Sequence, residues 1–215
     1  MYAIILCMSV LYASACNSLS TSKSNDTSLK TDTTKYGRLD TAYFASGCFW
    51  CVEAIFESLK GVQDAVSGYS GGTTVNPTYE EVCSKTTGHA EAVKVLYDPK
   101  LITYETLLKV YFASCDPTQV NGQGPDRGSP YRSVIFYRNF NEKKAASDYK
   151  EQLDKSGKYS SPIAVIVEKV KVFYDAEDYH QGYEKAHPDN PYVQNVSIPR
   201  LMNMEKQFPE LLKKH

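Results

Sequence analysis

Two cysteines three residues apart, Cys48 and Cys51, are the residues of this sequence best placed to do chemistry. The apolar run at 42–45 predicts a strand before them, and the apolar spacing of 52–60 predicts a helix after them. Cys48 is therefore expected at a helix N-terminus, where free backbone N–H groups favour an anion, so the pKa of its thiol should fall. Cys51 follows one turn later, and this spacing places two Cα atoms about 5–6 Å apart, within the range of a disulfide. The pattern predicts an activated thiolate with a second thiol within reach.

A cysteine pair also has a structural interpretation, because free cysteine is commonly a small buried hydrophobe. A CxxC at a strand-to-helix turn favours redox or metal chemistry instead. The sequence has no second CxxC and no histidine cluster at metal-ligand spacing, so we expect no metal site. The six cysteines, at positions 7, 16, 48, 51, 83 and 115, do not have the spacing of a disulfide framework, and a chain of 215 residues does not need one.

A carboxyl group, that of Glu91, forms the second chemical pattern. Residues 89–97 predict a strand, and its period of two places Glu91 on the same face as Val93 and Val95. If that face is the core, burial disfavours the charged form, so the pKa of Glu91 rises toward neutrality, as a general acid requires. If the strand lies at an edge, Glu91 is simply solvated. The sequence alone leaves both interpretations open.

Composition and element order indicate one folded domain. With 42% hydrophobic residues the chain can form one well-packed core, and its net charge of −1 gives no reason to expect nucleic acid or an anionic membrane surface as a partner. Residues 114–130 form a long loop, and a loop of that length is usually functional. From 176 the tail is mostly irregular. The other predicted elements are strands at 62–69, 132–137 and 163–172 and helices at 76–83, 102–113, 142–155, 178–186 and 199–213.

The N-terminal residues have the composition of an export signal followed by a tether. Residues 1–15 are apolar, are too short to span a bilayer comfortably, and end in the small-residue sequence ASA at 13–15. Cys16 follows directly, as in bacterial lipoproteins, and residues 16–38 are too polar to order themselves. We expect an exported protein, either membrane-anchored through a lipidated Cys16 or periplasmic, with its folded domain over 39–215. The alternative is an ordinary disordered N-terminus.

Several sequence blocks, in order along the chain from Thr41 to Tyr192, resemble the A-type peptide methionine sulfoxide reductases. The blocks are GCFW at 47–50, NPTYEEVC at 76–83, GHAEAV at 88–93, DPT at 116–118, QGPDRG at 123–128, YRS at 131–133 and AEDYHQ at 176–181. The resemblance implies an α+β fold: a two-layer sandwich with a mixed, largely antiparallel sheet, a ferredoxin-like core and a long coil-rich C-terminal tail.

The same resemblance implies an activity, a partner and a set of site residues. The reaction is reduction of the S-epimer of methionine sulfoxide, free or in proteins, to methionine. It needs no metal or organic cofactor, because the electrons come through thiols from thioredoxin or a thioredoxin-like reductant, and the enzyme is expected to be a monomer. Cys48 would attack the sulfoxide sulfur and Glu91 would protonate its oxygen. Tyr79 and Tyr131 would donate hydrogen bonds to that oxygen, and Asp126 would orient the polar side of the site.

Aromatic residues and further cysteines complete the implied site. Phe49 and Trp50 would line an apolar pocket for the S-methyl group, and His180 would pack or hydrogen-bond nearby. Attack would leave Cys48 as a sulfenic acid, which condenses with a nearby thiol. Relatives often use cysteines in a Gly-rich C-terminal tail for this step, but the tail of this chain has no cysteine. Cys51 is therefore inferred to be the resolving cysteine and Cys115 the second candidate.

Cys83 lies in a block that contains cysteine in relatives as well, and we interpret it as structural.

Two other functions use the same residues differently. A general thiol–disulfide oxidoreductase would use Cys48 and Cys51 on protein disulfides without any need for Glu91 or Tyr79. A non-enzymatic surface lipoprotein would keep the motif as a relic. The ordered blocks around the tyrosines and Glu91 weigh against both alternatives, since neither uses those residues.

Overall fold

The computed structural model describes residues 39–214. The predicted export signal and the predicted tether with Cys16 lie outside these residues. Within 39–214, no helix has both the length and the apolar character needed to cross a membrane. The strands are β1 (Asp40–Ala45), β2 (Val62–Ser70), β3 (Ala90–Tyr97), β4 (Gly122–Gln123), β5 (Asp126–Arg127), β6 (Val134–Tyr137), β7 (Ile166–Lys169) and β8 (Phe173–Asp175). The helices are α1 (Phe49–Glu57), α2 (Tyr79–Cys83), α3 (Tyr104–Ala113), α4 (Phe140–Lys155), α5 (Tyr183–Ala186) and α6 (Ile198–Gln207).

Six strands form the main sheet, in the order β7-β6-β1-β3-β2-β8. All neighbouring strands are antiparallel except β6 and β7, which run parallel. The sheet is therefore mixed and largely antiparallel, with helices packed on it, and the predicted α+β fold is confirmed. β3 lies between β1 and β2, so a side chain on β3 is flanked by sheet on both sides.

Alternate residues of the central strands belong to two different clusters, because successive side chains of a strand point to opposite faces. Phe44 on β1 and Val93 on β3 belong to the main core, together with α1 and α3. Tyr43 and Ala92 belong to a smaller cluster, against which Phe173 packs. Burying one large side chain such as Phe44 stabilises the fold by roughly 1.5–3 kcal/mol. The face that carries the helices is therefore the one on which a buried polar group is most costly.

Only the central part of the predicted strand over 163–172 is confirmed. This part is β7, which pairs with β6 at one edge of the sheet, whereas β8 pairs with β2 at the opposite edge. Val170 and Phe173 pack against the smaller cluster while the chain passes from one edge to the other. A continuous strand cannot make that crossing, so the apolar run is divided.

The C-terminal segment returns to α1 after β8. Leu59, just after α1, forms an isolated antiparallel bridge with Leu212. The backbone N–H of Lys60 donates to the carbonyl of Leu211, and the N–H of Lys213 donates to that of Ser58. α6 directly continues a π-helical segment, Val193–Ser197, and Pro199 lies just after the junction. This segment therefore packs beside the helix that begins at the two cysteines.

Candidate active site

The turn between β1 and α1 places Cys48 at the N-terminus of the helix, as the N-cap residue. Gly47 precedes it with φ +77, and a Cβ there would lie 2.7 Å from Cβ of Gln123, so the turn needs glycine on both grounds. The backbone N–H of Gly47 also donates to the carbonyl of Tyr131. The turn is thus fixed from two sides by the chain around 123–131.

Both thiols are buried: Cys48 is 7% exposed and Cys51 is 1% exposed. Burial raises the pKa of the Cys48 thiol well above its usual range and outweighs the opposing effect of the Trp50 backbone N–H. The pKa of Cys51 falls to about 6, mainly because Cys48 donates a hydrogen bond to its sulfur and also because Arg200 is positive. The predicted fall in the pKa of Cys48 is therefore wrong for this state. Burial opposes the effect of the helix N-terminus at Cys48, so the lower pKa of the pair belongs to Cys51.

Glu91 lies on the core face of β3, with only 2% of its surface exposed. The backbone N–H of Phe49 donates to its Oε2 over 3.1 Å, which joins β3 to the first turn of α1. Burial nevertheless raises the pKa of this carboxyl to about 8, so it holds a proton at neutral pH. The predicted buried carboxyl group is confirmed. The solvated alternative is wrong because β3 is a central strand.

Both predicted tyrosines lie near this carboxyl group. Tyr79 begins α2, whose N-cap Thr78 forms a capping box with Glu81. Tyr131 ends a short 3-10 turn just before β6. Burial is the main cause that raises the pKa of both phenols, followed by a hydrogen bond with Cys83 for Tyr79 and by the charge of Glu91 for Tyr131, so both remain O–H donors at neutral pH.

Phe49 and Trp50 form the centre of an aromatic cluster. Phe49 is buried, and its ring centroid lies 6.3 Å from that of Tyr79 and 4.9 Å from that of His180. Trp50 is half-buried and stacks on Tyr183 with centroids 3.7 Å apart and an interplanar angle of 7°. Its indole N–H donates to Nδ1 of His180 over 3.1 Å. The stack and the hydrogen bond hold the indole in one orientation.

A second buried carboxylate, Glu53 on α1, fixes the segment that carries His180. It accepts hydrogen bonds from the hydroxyl of Ser67 and from the backbone N–H of Gly182. Burial raises its pKa to about 7. Glu177 anchors the same segment from the other end, because it accepts from Tyr69 Oη at 2.8 Å and from the Tyr79 backbone N–H at 2.9 Å. The aromatic cluster thus depends on contacts far apart in sequence.

Three C-terminal residues of the site were missed in the sequence. Tyr183 stacks on Trp50, Tyr192 lies beside the thiols, and Arg200 contacts the turn that precedes Cys48. The Tyr192 hydroxyl donates to Asp126 over 2.7 Å and lies 3.8 Å from Sγ of Cys51. Asp126 is therefore placed beside Cys51 through Tyr192. The only sequence indication for these residues was their position in or after the AEDYHQ block.

The remaining cysteines lie apart from this pair. Cys115 follows α3 and lines a cleft of about 710 Å³ together with Asp126, Tyr192 and Arg200. Burial raises its pKa to about 12, and no hydrogen bond joins it to Cys48 or Cys51 within 39–214. Cys83, at the end of α2, is half-buried beside Tyr79. The geometry brings the predicted site residues together, with Cys115 at the edge of the group. No cluster of three or more potential metal ligands occurs in the described chain.

Two buried thiols one helical turn apart, with a buried carboxyl group and an aromatic pocket beside them, are the arrangement expected of a thiol-dependent oxidoreductase. A family model described as "Peptide methionine sulfoxide reductase" matches residues 40–212. The chain is 50% identical over 169 residues to "Peptide methionine sulfoxide reductase MsrA" of Picrophilus torridus. The alignment covers 79% of this chain and 95% of that protein. The chain belongs to the peptide methionine sulfoxide reductase family, and the predicted family and enzyme class are confirmed.

Solved structures agree with the sequence comparison. Mxr1 from Saccharomyces cerevisiae in reduced form is similar to this chain with a TM-score of 0.67 and 35% identity, over 71% of this chain and 88% of that one. Mxr1 in complex with Trx2 is similar with a TM-score of 0.50 and 29% identity, over 72% of this chain and 91% of that one.

Proposed function

We propose that this protein reduces the S-epimer of methionine sulfoxide, free and in proteins, to methionine, with Cys48 as the nucleophile. The observation that carries the proposal is the protonated, buried Glu91, hydrogen-bonded to the Phe49 N–H directly after Cys48. A proton donor beside a thiol is what sulfoxide reduction requires, because the oxygen leaves sulfur only as it gains a proton. A dithiol exchange site would need no such acid, so this geometry favours the reductase over the thiol–disulfide alternative.

In the first step the sulfur of Cys48 attacks the sulfoxide sulfur while Glu91 donates its proton to the oxygen. The hydroxyls of Tyr79 and Tyr131 donate hydrogen bonds to that oxygen as charge develops on it. The oxygen then passes to Cys48, so methionine is released and Cys48 becomes a sulfenic acid. The substrate sulfur gains two electrons and Cys48 loses two. The proton of the Cys48 thiol returns to the Glu91 carboxylate, so the step neither gains nor loses a proton overall.

The pocket for the S-methyl group is the cluster formed by Phe49 and Trp50. Aromatic faces make favourable contacts with sulfur and its methyl substituents. The stacked Tyr183 and the hydrogen-bonded His180 keep the indole in place before substrate arrives. A fixed apolar wall beside the nucleophile presents the sulfoxide in one orientation, which supports selection of one epimer.

In the second step Cys51 attacks the Cys48 sulfenic acid and forms a disulfide with release of water. A thioredoxin-like reductant then restores both thiols by exchange. A structural relative, Mxr1, has been solved in complex with Trx2, which supports this class of partner. Cys51 is favoured over Cys115 because it lies one helical turn after Cys48 and its pKa is the lower of the two.

Replacement of Cys51 by serine tests this assignment. The Cys51→Ser variant should release about one methionine per enzyme in a single turnover, because the first step leaves a sulfenic acid whether or not a second thiol follows. Its thioredoxin-dependent cycling should fall by about 100-fold or more, because no adjacent thiol resolves that acid. Methionine release is measured by chromatography and cycling by NADPH oxidation with thioredoxin and thioredoxin reductase.

The matched control is Cys115→Ser, which should cycle at the wild-type rate. Normal cycling of Cys51→Ser would show instead that Cys115 or direct reduction of the sulfenic acid serves this role. A wild-type protein that releases no methionine but exchanges protein disulfides would favour the thiol–disulfide oxidoreductase.

We also propose that the protein is exported and anchored through a lipid on Cys16, acting as a monomer outside the cytoplasm. The apolar start and the small residues before Cys16 support this. Full-length protein made in a bacterial host should enter the detergent phase of a Triton X-114 partition, whereas Cys16→Ala should remain aqueous. Wild-type protein in the aqueous phase with residues 1–15 still attached would contradict the proposal.

A further inference from the structure

Arg200 connects three parts of the chain near the two thiols: α6, the end of α3 and the turn before Cys48. Its Nε donates to the carbonyl of Ser114 over 2.6 Å, at the end of α3. Its Nη1 donates to the carbonyl of Ser46 over 2.9 Å, and its Nη2 donates to the hydroxyl of the same residue over 2.7 Å. Ser46 is fully buried and lies two residues before Cys48. A planar guanidinium can make these contacts in a fixed geometry that a lysine cannot reproduce.

The same guanidinium acts on the resolving thiol through its charge. The positive charge of Arg200 lowers the pKa of Cys51 and opposes the effect of burial on Cys115. The groups that face Cys51 come from every neighbouring element. They are Cys48 at the start of α1, Glu91 on β3, Tyr192 and Ser197 from the C-terminal segment, Asp126 behind Tyr192, and Arg200. Among these groups Arg200 is the cation, so it is the one whose charge favours a thiolate.

We propose that Arg200 is a positioning residue for the resolving step: its hydrogen bonds to Ser46 and Ser114 fix the turn before Cys48 against α6 and so hold Cys48 in place for attack by Cys51. The proposal rests on the reductase function and on Cys51 as the resolving cysteine. None of the hydrogen bonds of Arg200 within the described chain goes to Glu91, Tyr79 or the aromatic pocket. Its effect should therefore fall on the second step rather than on methionine release.

The resolving step that Arg200 would assist needs no oxidant other than the Cys48 sulfenic acid itself. The thiolate of Cys51 attacks the sulfur of the Cys48 sulfenic acid, so an S–S bond forms and the S–O bond breaks. Hydroxide leaves and takes up a proton to become water, while Cys51 is oxidised and Cys48 is reduced to the disulfide level. Only the thiolate attacks, so the rate at a given pH depends on how much Cys51 is ionised.

The experiment compares Arg200→Met with Arg200→Lys in the full chain. In a single turnover on methionine S-sulfoxide, both variants should release methionine within about twofold of the wild-type rate, while disulfide formation, measured at about pH 5 where only a small fraction of Cys51 is ionised, should slow by about 10-fold in Arg200→Met. Arg200→Lys should recover only part of the lost rate, because it keeps the charge but not the set of hydrogen bonds to Ser46 and Ser114. Lys206→Met, an exposed charge removal on the same helix, should leave both rates unchanged.

A second measurement distinguishes the effect of the Arg200 charge on Cys51 from any effect of the substitution on folding. In a Cys48→Ser background, the pH dependence of Cys51 alkylation by iodoacetamide should move upward by about one pH unit on Arg200→Met and much less on Arg200→Lys. Equal loss of both chemical steps would overturn the proposal and leave Arg200 as a purely structural contact, whereas an unchanged alkylation profile would assign the slower resolution to the lost hydrogen bonds alone. Failure of the reductase function would appear separately, as a wild-type protein that releases no methionine while its alkylation profile still shifts with Arg200→Met.

Discussion

Replacement of Cys48 by serine should abolish methionine release, with a loss of kcat/KM on the order of 10⁴-fold or more. A thiol can take the sulfoxide oxygen because sulfur forms a stable sulfenic acid, whereas a serine hydroxyl has no corresponding oxidation state. The substitution changes one buried atom in the N-cap position, where serine is itself a favoured residue, so the fold should remain intact. The measurement is single-turnover release of methionine from methionine S-sulfoxide.

The matched control for this substitution is Cys83→Ser. Cys83 is half-buried beside Tyr79, so its removal tests whether loss of any nearby thiol lowers activity. Cys83→Ser should retain methionine release within a few fold of wild type. Residual release from Cys48→Ser above about 1% of the wild-type rate would mean that another thiol attacks the sulfoxide. Thermal unfolding of both variants shows whether a loss of rate reflects a loss of fold.

The local sequence was sufficient to identify the residues at the centre of the site. Period-two alternation in β3 placed Glu91 on the face of Val93 and Val95, and the strand-to-helix boundary placed Cys48 at the start of α1, because both depend only on neighbouring residues. That this face of β3 is the core follows only from the central position of the strand in the sheet. The predicted long loop at 114–130 supplies Asp126, and the structure adds the short hairpin of β4 and β5 within it. In these places local pattern and tertiary structure agree.

What the sequence did not show depends on long-range packing. Tyr192 and Arg200 contact residues between 66 and 154 positions earlier in the chain, and no local periodicity marks such contacts. The pKa of Cys48 also depends on long-range packing. A helix N-terminus is a local feature that favours the thiolate, whereas burial by the tail and by β3 is a tertiary feature that disfavours it and prevails here. Local motifs therefore located the chemistry, whereas the pKa values of the two thiols depend on burial and on contacts that the C-terminal segment helps to make.

Glu91→Gln should lower kcat/KM by about 10²–10⁴-fold, because glutamine keeps the size of the side chain and can accept the Phe49 N–H but has no acidic proton to give. The expected pH dependence follows from the raised pKa. Because the carboxyl is protonated below a pKa of about 8, the first step should be supported below that pH and lost as pH rises through it. Single-turnover methionine release, measured from pH 6 to 10, isolates this step from resolution.

The control is the second buried carboxyl group, Glu53, which lies on α1 and binds Ser67 and Gly182 rather than the substrate side. Glu53→Gln should keep the loss of rate near pH 8, whereas Glu91→Gln should remove it together with most of the activity. A falling limb that persists unchanged in Glu91→Gln would assign the proton to another group, and the hydroxyls of Tyr79 and Tyr131 would be tested next by phenylalanine substitution. If the loss of rate near pH 8 disappears in Glu91→Gln but persists in Glu53→Gln, Glu91 is the group that transfers the proton. No other group would then account for the pH at which methionine release fails.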